Sequence, residues 1–308
     1  MLSRTACSLF WMARYLERAE NLARLLDVSQ QLALMPDGGE LALSMPLDVL
    51  DCRADFARIE TRLDQTSVAA FLVLDPVFPS SILSTLRLAR ENAHVVRGTI
   101  TGELWETINA TWLELRQLDR KRLFKTGLPQ TLERVKERTH LARGVIVGSS
   151  QRNDAFHFIA LGTHLERADN TVRLLRHHLH TFGTPEQAGE PSYYAWAALL
   201  RSLSAFEAYR DLHGDRLAVP RIGSLLLLRE DLPRSLLACM QAVEVALAAV
   251  NGEHGRSLRG RVAELLARLR FATWDEAFAR GPVAALDALL VVLADLGDAI
   301  GLAYWSEH

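Results

Sequence analysis

The chain has 308 residues and a mass of 34.4 kDa; 49% of its residues are hydrophobic and 23% charged, a globular composition that excludes a disordered chain. Thirty-five basic against 37 acidic side chains leave a net charge of −2 and a pI near 6.6, which excludes the broad basic field of a nucleic-acid binder. Eighteen glycines and ten prolines are too few for a turn-rich all-β fold.

Helical periodicity runs through the chain from its start. Met12, Tyr15, Leu16, Ala19, Leu22, Ala23 and Leu26 recur at the i, i+3, i+4 spacing of one helix face. Similar stripes follow at 82–97, 132–147, 159–179, 196–209, 236–250, 262–269 and 286–303. The breaks at 35–39, 75–79, 181–191 and 251–255 carry Gly, Pro, Asp and Asn. Ser80 or Ser81, after Pro79, is placed to cap a new helix. The expectation is an all-α bundle of roughly ten helices. Only three lysines occur (Lys121, Lys125 and Lys136). Cys7, Cys52 and Cys239 form no CxxC pair, and an odd, scattered set suits a reduced, cytoplasmic compartment. The first 14 residues lack a signal-peptide pattern. The most apolar stretch, 283–305, is broken by Asp287, Asp295 and Asp298, so no membrane association is expected.

An internal repeat is the most informative feature. Residues 16–26 read L-E-R-A-E-N-L-A-R-L-L and residues 165–175 read L-E-R-A-D-N-T-V-R-L-L, identical at eight of eleven positions. A fainter echo relates 71–83 to 225–237, with Phe78-Pro-Ser-Ser against Leu232-Pro-Arg-Ser. The chain therefore reads as one unit of two related halves, about 1–149 and 150–308, with pseudo-twofold internal symmetry.

The repeat duplicates a charged quartet. At about 100° per residue, with Glu17 at zero, Asn21 lies near 40°, Arg24 near 340° and Glu20 near 300°, while the apolar stripe centres near 200°. Arg18 stands at the margin. Glu166, Asp169, Asn170 and Arg173, with Arg167, repeat this geometry. Solvated i, i+4 ion pairs contribute only about 0.3–0.5 kcal/mol each and are easily replaced. Yet the outer positions have drifted (Leu22/Thr171, Ala23/Val172) while the charged ones have stayed. Three readings are open: a polar cleft shared by the two quartets, a desolvated structural network, and a solvated face. A shared cleft would combine carboxylates for an amine with guanidinium forks for a carboxylate, which suits an amino acid or peptide.

Familiar catalytic motifs are absent: GxxxxGK[ST], GxGxxG, HExxH and GxSxG do not occur. Glu91 with His94, and Glu137 with His140, are E-x-x-H pairs of the kind used by helical di-metal carboxylate proteins, with Glu17, Glu20 and Glu166 available as further ligands. Arg90, Arg97, Arg138 and Arg143 crowd these pairs with positive charge and oppose a metal site. His177, His178 and His180 read as a solvated helix end. Trp11, Trp105, Trp112 and Trp196 lie on apolar stripes and read as core. Glu207 and Arg210 share a helix face at i, i+3, and Arg201 lies on another part of the same stretch.

At these residues the sequence resembles the bacterial alpha-E domain family, over essentially the whole chain. The marks are Met1-Leu-Ser-Arg4, Trp11-Met12, the run from Arg14 to Asn21, Pro79 to Leu83 and Ala89-Arg90-Glu91-Asn92. They continue with His164 to Asn170, Trp196 to Ser202, Ser204 to Arg210 and Leu296 to Ile300. The sequence departs from the family pattern at Thr163 and His164. The resemblance implies an all-helical fold named for its Glu-Arg motif. It also implies association with circularly permuted ATP-grasp proteins, and often with transglutaminase-like proteins, in ATP-dependent peptide ligation. It places the motif on Glu17, Arg18, Glu20, Asn21 and Arg24, and on Glu166, Arg167, Asp169, Asn170 and Arg173. The resulting expectation is an accessory subunit of an amide or peptide ligase that binds a peptide or amino acid through these residues, together with Arg90, Glu91, Arg201, Glu207 and Arg210. No cofactor or metal is expected on this chain; ATP and Mg2+ would be held by the partner. The alternatives are a stand-alone peptide-modifying enzyme, by motif carboxylates or a di-metal centre, and a structural adaptor without ligand.

Overall fold

A computed structural model describes residues 3–33, 39–183, 190–250, 255–275 and 281–305. Among them are fifteen α-helices and no strand. The excess over ten comes from helices of two or three turns, such as α3 (Arg53–Ile59), α4 (Gln65–Leu74) and α7 (Arg120–Thr126), which are too short to declare a period. Most of the breaks expected at 35–39, 181–191 and 251–255 lie outside the described residues, as does the start of the Met1–Arg4 mark. No helix among the described residues is long and apolar enough to cross a membrane.

The chain divides into two compact units, Met1–Thr163 and His164–His308. In the first, α1 (Ser3–Ala33) is the central element. It packs most extensively on α5 (Ile82–Val95), and also on α2 (Gly39–Val49) and α8 (Leu128–Ser149). More than half of its residues are buried, including Leu9, Phe10, Met12, Leu16, Leu22 and Leu26. A helix enclosed in this way buries more than one face, so its charged quartet also meets neighbours. α6 (Gly102–Leu115) bridges α5 and α8, and α7 rests on α4 and α8. The first unit ends in α9 (Asp154–Phe182), which crosses the division. Gly162 permits close approach there: a Cβ would collide with the Phe10 carbonyl oxygen.

The second unit holds the rest of α9 and six more helices. These are α10 (Glu190–Ser202), α11 (Phe206–His213), α12 (Val219–Leu228), α13 (Leu236–Ala249), α14 (Arg256–Phe271) and α15 (Pro282–Tyr304). α13 against α14 is its most extensive helix pair after α9 is set aside. The buried Tyr209 closes the 214–218 turn: its hydroxyl donates to Arg216 O at 2.9 Å and accepts from Ala218 N at 3.0 Å.

The side-chain caps follow the residue chemistry. Asp64, Ser81, Thr101, Asp119 and Ser235 each accept a backbone N–H from the first turn of the helix that follows. Ser81 is thus the cap of the Pro79 turn. The faint echo has a structural counterpart here. Ser81 N donates to Phe78 O at 3.1 Å and Ser235 N to Leu232 O at 2.9 Å. Both hydroxyls also reach back six residues, Ser81 Oγ to Asp75 O and Ser235 Oγ to Arg229 O.

Candidate functional site

The first Glu-Arg quartet is a buried charge network between α1 and α8. Glu17, Glu20 and Arg24 are three to four residues apart on α1, so they stack along one side of it. Thr139, His140 and Arg143 do the same on α8. The Glu20 side chain is fully buried, and that of Glu17 is only 2% exposed. A bare carboxylate at such a place would be strongly disfavoured, so its partners decide whether it can exist. Glu20 has several. Arg24 Nε donates to Oε1 at 2.9 Å, Arg143 Nη2 donates to Oε2, and Thr139 Oγ1 stands 3.5 Å away. His140 Nε2 lies 3.1 Å from Glu20 Oε1 and 3.1 Å from Arg24 Nη2, so it donates to the carboxylate when protonated there and accepts from the guanidinium when not. Arg143 Nη2 also donates to Glu17 Oε2 at 2.9 Å. Two carboxylates here meet the guanidinium groups of Arg24 and Arg143.

The cations form the outer layer. The His140 side chain is 48% exposed, Arg143 35% and Arg24 17%. One turn before His140, Lys136 pairs with Asp27 at 2.9 Å and Glu133 at 2.6 Å. Burial works against its charge, but these two carboxylates hold the ammonium above its ordinary value. The crevice beside Glu17, Thr139, Arg143 and Thr163 has a volume of about 20 Å3. That is room for about one water and not for an amino acid. The exposed parts of this network are the His140 ring and the Arg143 guanidinium, while the carboxylates lie beneath them.

The second quartet is arranged differently within its own unit. Glu166 and Arg167 are buried. Arg167 Nη1 donates to Pro233 O at 3.4 Å and Thr171 Oγ1 to Arg234 O at 2.8 Å, so this face of α9 holds the turn that leads into α13. Asp169 and Arg173 form a bidentate pair at 3.0 and 3.1 Å that is partly solvated, and Asn170 is half-buried. The drifted position Thr171 is thus a working hydrogen-bond donor.

The remaining expected site residues make contacts within their own units. Arg90 faces α6, where Nε donates to Asn109 Oδ1 at 3.1 Å and the guanidinium lies 5.5 Å from the Trp105 ring. Glu91 is exposed and pairs with Arg87 at 2.9 Å. Arg201 is exposed over the Phe206 ring at 4.5 Å, and Glu207 and Arg210 are exposed on α11. Arg18 lies 5.9 Å from the Tyr15 ring, and Asn21 is buried beside Glu20 in sequence. The E-x-x-H residues are engaged separately: Glu137 with Arg134 at 3.1 Å, His94 against the Trp105 ring at 5.5 Å, His140 on Glu20. Among the described residues no three His, Cys, Asp or Glu side chains gather as metal ligands.

Two expectations about other residues are corrected. His177 and His178 are buried and only His180 is exposed, because α10 brings Trp196 to 5.9 Å from the His178 ring. Burial, reinforced by His177, pushes the His178 imidazole down to about 3, so it is neutral at pH 7. Of the four tryptophans, Trp196 alone is fully buried; Trp11, Trp105 and Trp112 are half-buried. The three cysteines are free thiols, and burial with nearby Asp55, Asp51 and Asp48 pushes Cys52 up to about 12.

His140 and Arg143 are the residues that sequence reasoning misplaced, one as a metal-ligand candidate and the other as charge opposing a metal. Their signal was the i, i+3, i+4 spacing of Lys136, Thr139, His140 and Arg143, which gives α8 a polar face of its own.

Comparisons with known proteins agree with this picture at the level of family. The family model Alpha-E, described as a predicted alpha-helical domain with a conserved ER motif, matches residues 1–305. Uncharacterized proteins of Mycobacterium tuberculosis (strain H37Rv) and of Mycobacterium bovis are each 26% identical over 294 residues, covering 87% of this chain. The chain spans about a third (32%) of the length of these relatives. No solved structure matches. With both Glu-Arg repeats inside the matched region, the chain belongs to the Alpha-E family.

Proposed function

We propose that this protein is the substrate-holding accessory of an ATP-grasp-type amide or peptide ligase in the cytoplasm, and that its rim of Arg24, His140 and Arg143 receives the carboxylate end of a peptide or amino acid. The observation that carries this reading is the layering of the network. Glu17 and Glu20 are buried and engaged, so their role is to fix two guanidinium groups and an imidazole above them. Fixed guanidinium groups bind a carboxylate by charge-assisted, directional bonds, at less ordering cost than mobile ones.

The chemistry of the partner fits that role. Such a ligase joins a carboxylate to an amine through an acyl phosphate, with ATP and Mg2+ on its own domain. A subunit that presents the carboxylate, or anchors the far end of a growing peptide, contributes positioning. The greater length of the mycobacterial relatives supports a domain that works joined to other sequence. The test is ligation by the purified ATP-grasp-like protein with this chain added. His140→Ala is the variant of choice, because an exposed residue leaves the fold intact. Product formation that depends on this chain and falls with His140→Ala supports the proposal. Full activity of the folded variant would refute the role of the rim.

One observation favours a second reading. The saturation of Glu20 by Arg24, Arg143 and His140 is also what a structural clamp between α1 and α8 requires. In that case the protein is an adaptor, and it binds its partner equally well with His140→Ala and supports undiminished ligation.

A further inference from the structure

Outside the network, the most one-sided charge on the surface lies on α7 and the turn before it. Residues 116–125 hold Arg116, Arg120, Lys121, Arg122 and Lys125 against the single acid Asp119. Asp119 is occupied as the cap of α7, accepting from Arg122 N at 2.7 Å. Arg120 is bound to Glu60 at 2.9 Å. Arg122 Nη1 donates to Gln117 O at 2.8 Å, which leaves its charge uncompensated. Among the described residues no carboxylate pairs with Arg116, Lys121, Arg122 or Lys125. Four exposed cations therefore stand together on a chain whose net charge is −2.

The short helix presents them in a fixed way. Leu123 is fully buried and anchors α7 to α4 and α8. At about 100° per residue, Lys121 and Lys125 fall on the arc opposite Leu123, with Arg122 on one flank and Phe124 on the other. Phe124 is 37% exposed at the edge of this arc. Two of the protein's three lysines are here, on a chain that otherwise uses arginine. An ammonium group keeps its hydration, which suits a wet, electrostatic contact.

We infer that the outer face of α7, with Lys121 and Lys125 at its centre, Arg122 on one flank, and Arg116 in the turn that precedes it, is a docking patch for an acidic protein surface. The patch is only about 10 Å long. A nucleic acid would extend beyond it over a chain of net negative charge, and a bilayer would find a single partly exposed aromatic, Phe124, too little apolar area for insertion, since Leu123 is committed to the core. A protein presents carboxylates on that compact scale, and complementary charge of this kind steers and orients such an encounter. This inference concerns a different face from the Arg24–His140–Arg143 rim and does not depend on the function proposed for it.

The test uses the full chain and three polyanions: poly-L-glutamate as the acidic polypeptide, phosphatidylglycerol vesicles and duplex DNA. Binding is read by fluorescence anisotropy or co-sedimentation at low and physiological salt, and folding by circular dichroism. The expected result is salt-sensitive binding to poly-L-glutamate, stronger than to vesicles or DNA, that falls about tenfold or more in Lys121→Glu/Lys125→Glu. The control Arg268→Glu, at another exposed arginine, should leave it unchanged. The inference is overturned by no binding to poly-L-glutamate, by tighter binding to vesicles or DNA, or by equal loss in the control.

Discussion

Arg143→Met removes a guanidinium that serves both buried carboxylates while keeping an apolar stem of similar reach. Arg143 Nη2 donates to Glu17 and Glu20 alike. Breaking a buried ion pair by deleting one partner costs roughly 3–5 kcal/mol. Arg143 is 35% exposed, so water recovers part of that, and about 3 kcal/mol is the figure to expect. For a unit of this size, about 2–4 °C of Tm per kcal/mol makes the drop roughly 6–12 °C at neutral pH. The deficit should also depend on pH. In the variant, buried carboxylates that have lost a cation bind protons more readily than they do in the wild type. The variant's native state then holds more protons than the wild type's, so its stability deficit shrinks as pH falls from neutrality. Thermal melts of wild type and variant across this range would show the gap narrowing toward acid. Adding Glu17→Gln removes one of the two carboxylates that Arg143 serves and should recover part of the loss. A Tm drop under about 2 °C at neutral pH, or a gap that does not change with pH, would refute a desolvated network centred on Arg143.

The two quartets should respond unequally to the same chemistry. Glu20→Gln, at a fully buried site with several cationic partners, should cost about 2–4 kcal/mol in chemical denaturation, whereas Asp169→Asn, in a partly solvated pair, should cost under about 1 kcal/mol; equal costs would contradict the burial difference. His178, held down to about 3, favours the unfolded state once solvent protonates that state near pH 6.5. Stability should fall by about 1.4 kcal/mol per pH unit from pH 6.5 toward 3 on its account, and His178→Phe should flatten this slope; an unchanged slope in the folded variant would show that other groups set it. Gly162→Ala places a methyl against the Phe10 carbonyl oxygen, a backbone atom that cannot swing aside, and should destabilise by about 1–3 kcal/mol in urea; a neutral result would mean that α9 shifts freely along α1.

The helical class was legible because apolar residues keep a helical period over most of the chain, and Ser81 was legible as a cap because proline and serine leave few other options before a helix. The Glu-Arg quartets stood out through duplication, since a second copy shows which positions hold still. Their surroundings were less accessible. Assigning one apolar stripe to α1 treats it as a surface helix, yet α2, α5 and α8 enclose it, so Glu17 and Glu20 are inside. Their partners His140 and Arg143 lie more than a hundred residues away, and nothing in the spacing within α1 points to them. The same limit applies to His177 and His178, whose burial is set by Trp196 on the next helix. Lys121 and Lys125 show the converse: their charge was visible in the sequence, but only the buried Leu123 defines which way they face.

The central claim is that the Glu-Arg network exists to hold a carboxylate-binding rim. It is tested most directly by isothermal titration of the isolated protein with short N-acetylated peptides carrying a free C-terminal carboxylate, beside the same peptides as C-terminal amides, on wild type and His140→Ala. The rim predicts that the acids bind, that the amides bind far more weakly, and that His140→Ala weakens the acids alone. Acids and amides that bind equally, or acids whose binding is untouched by His140→Ala, would contradict it.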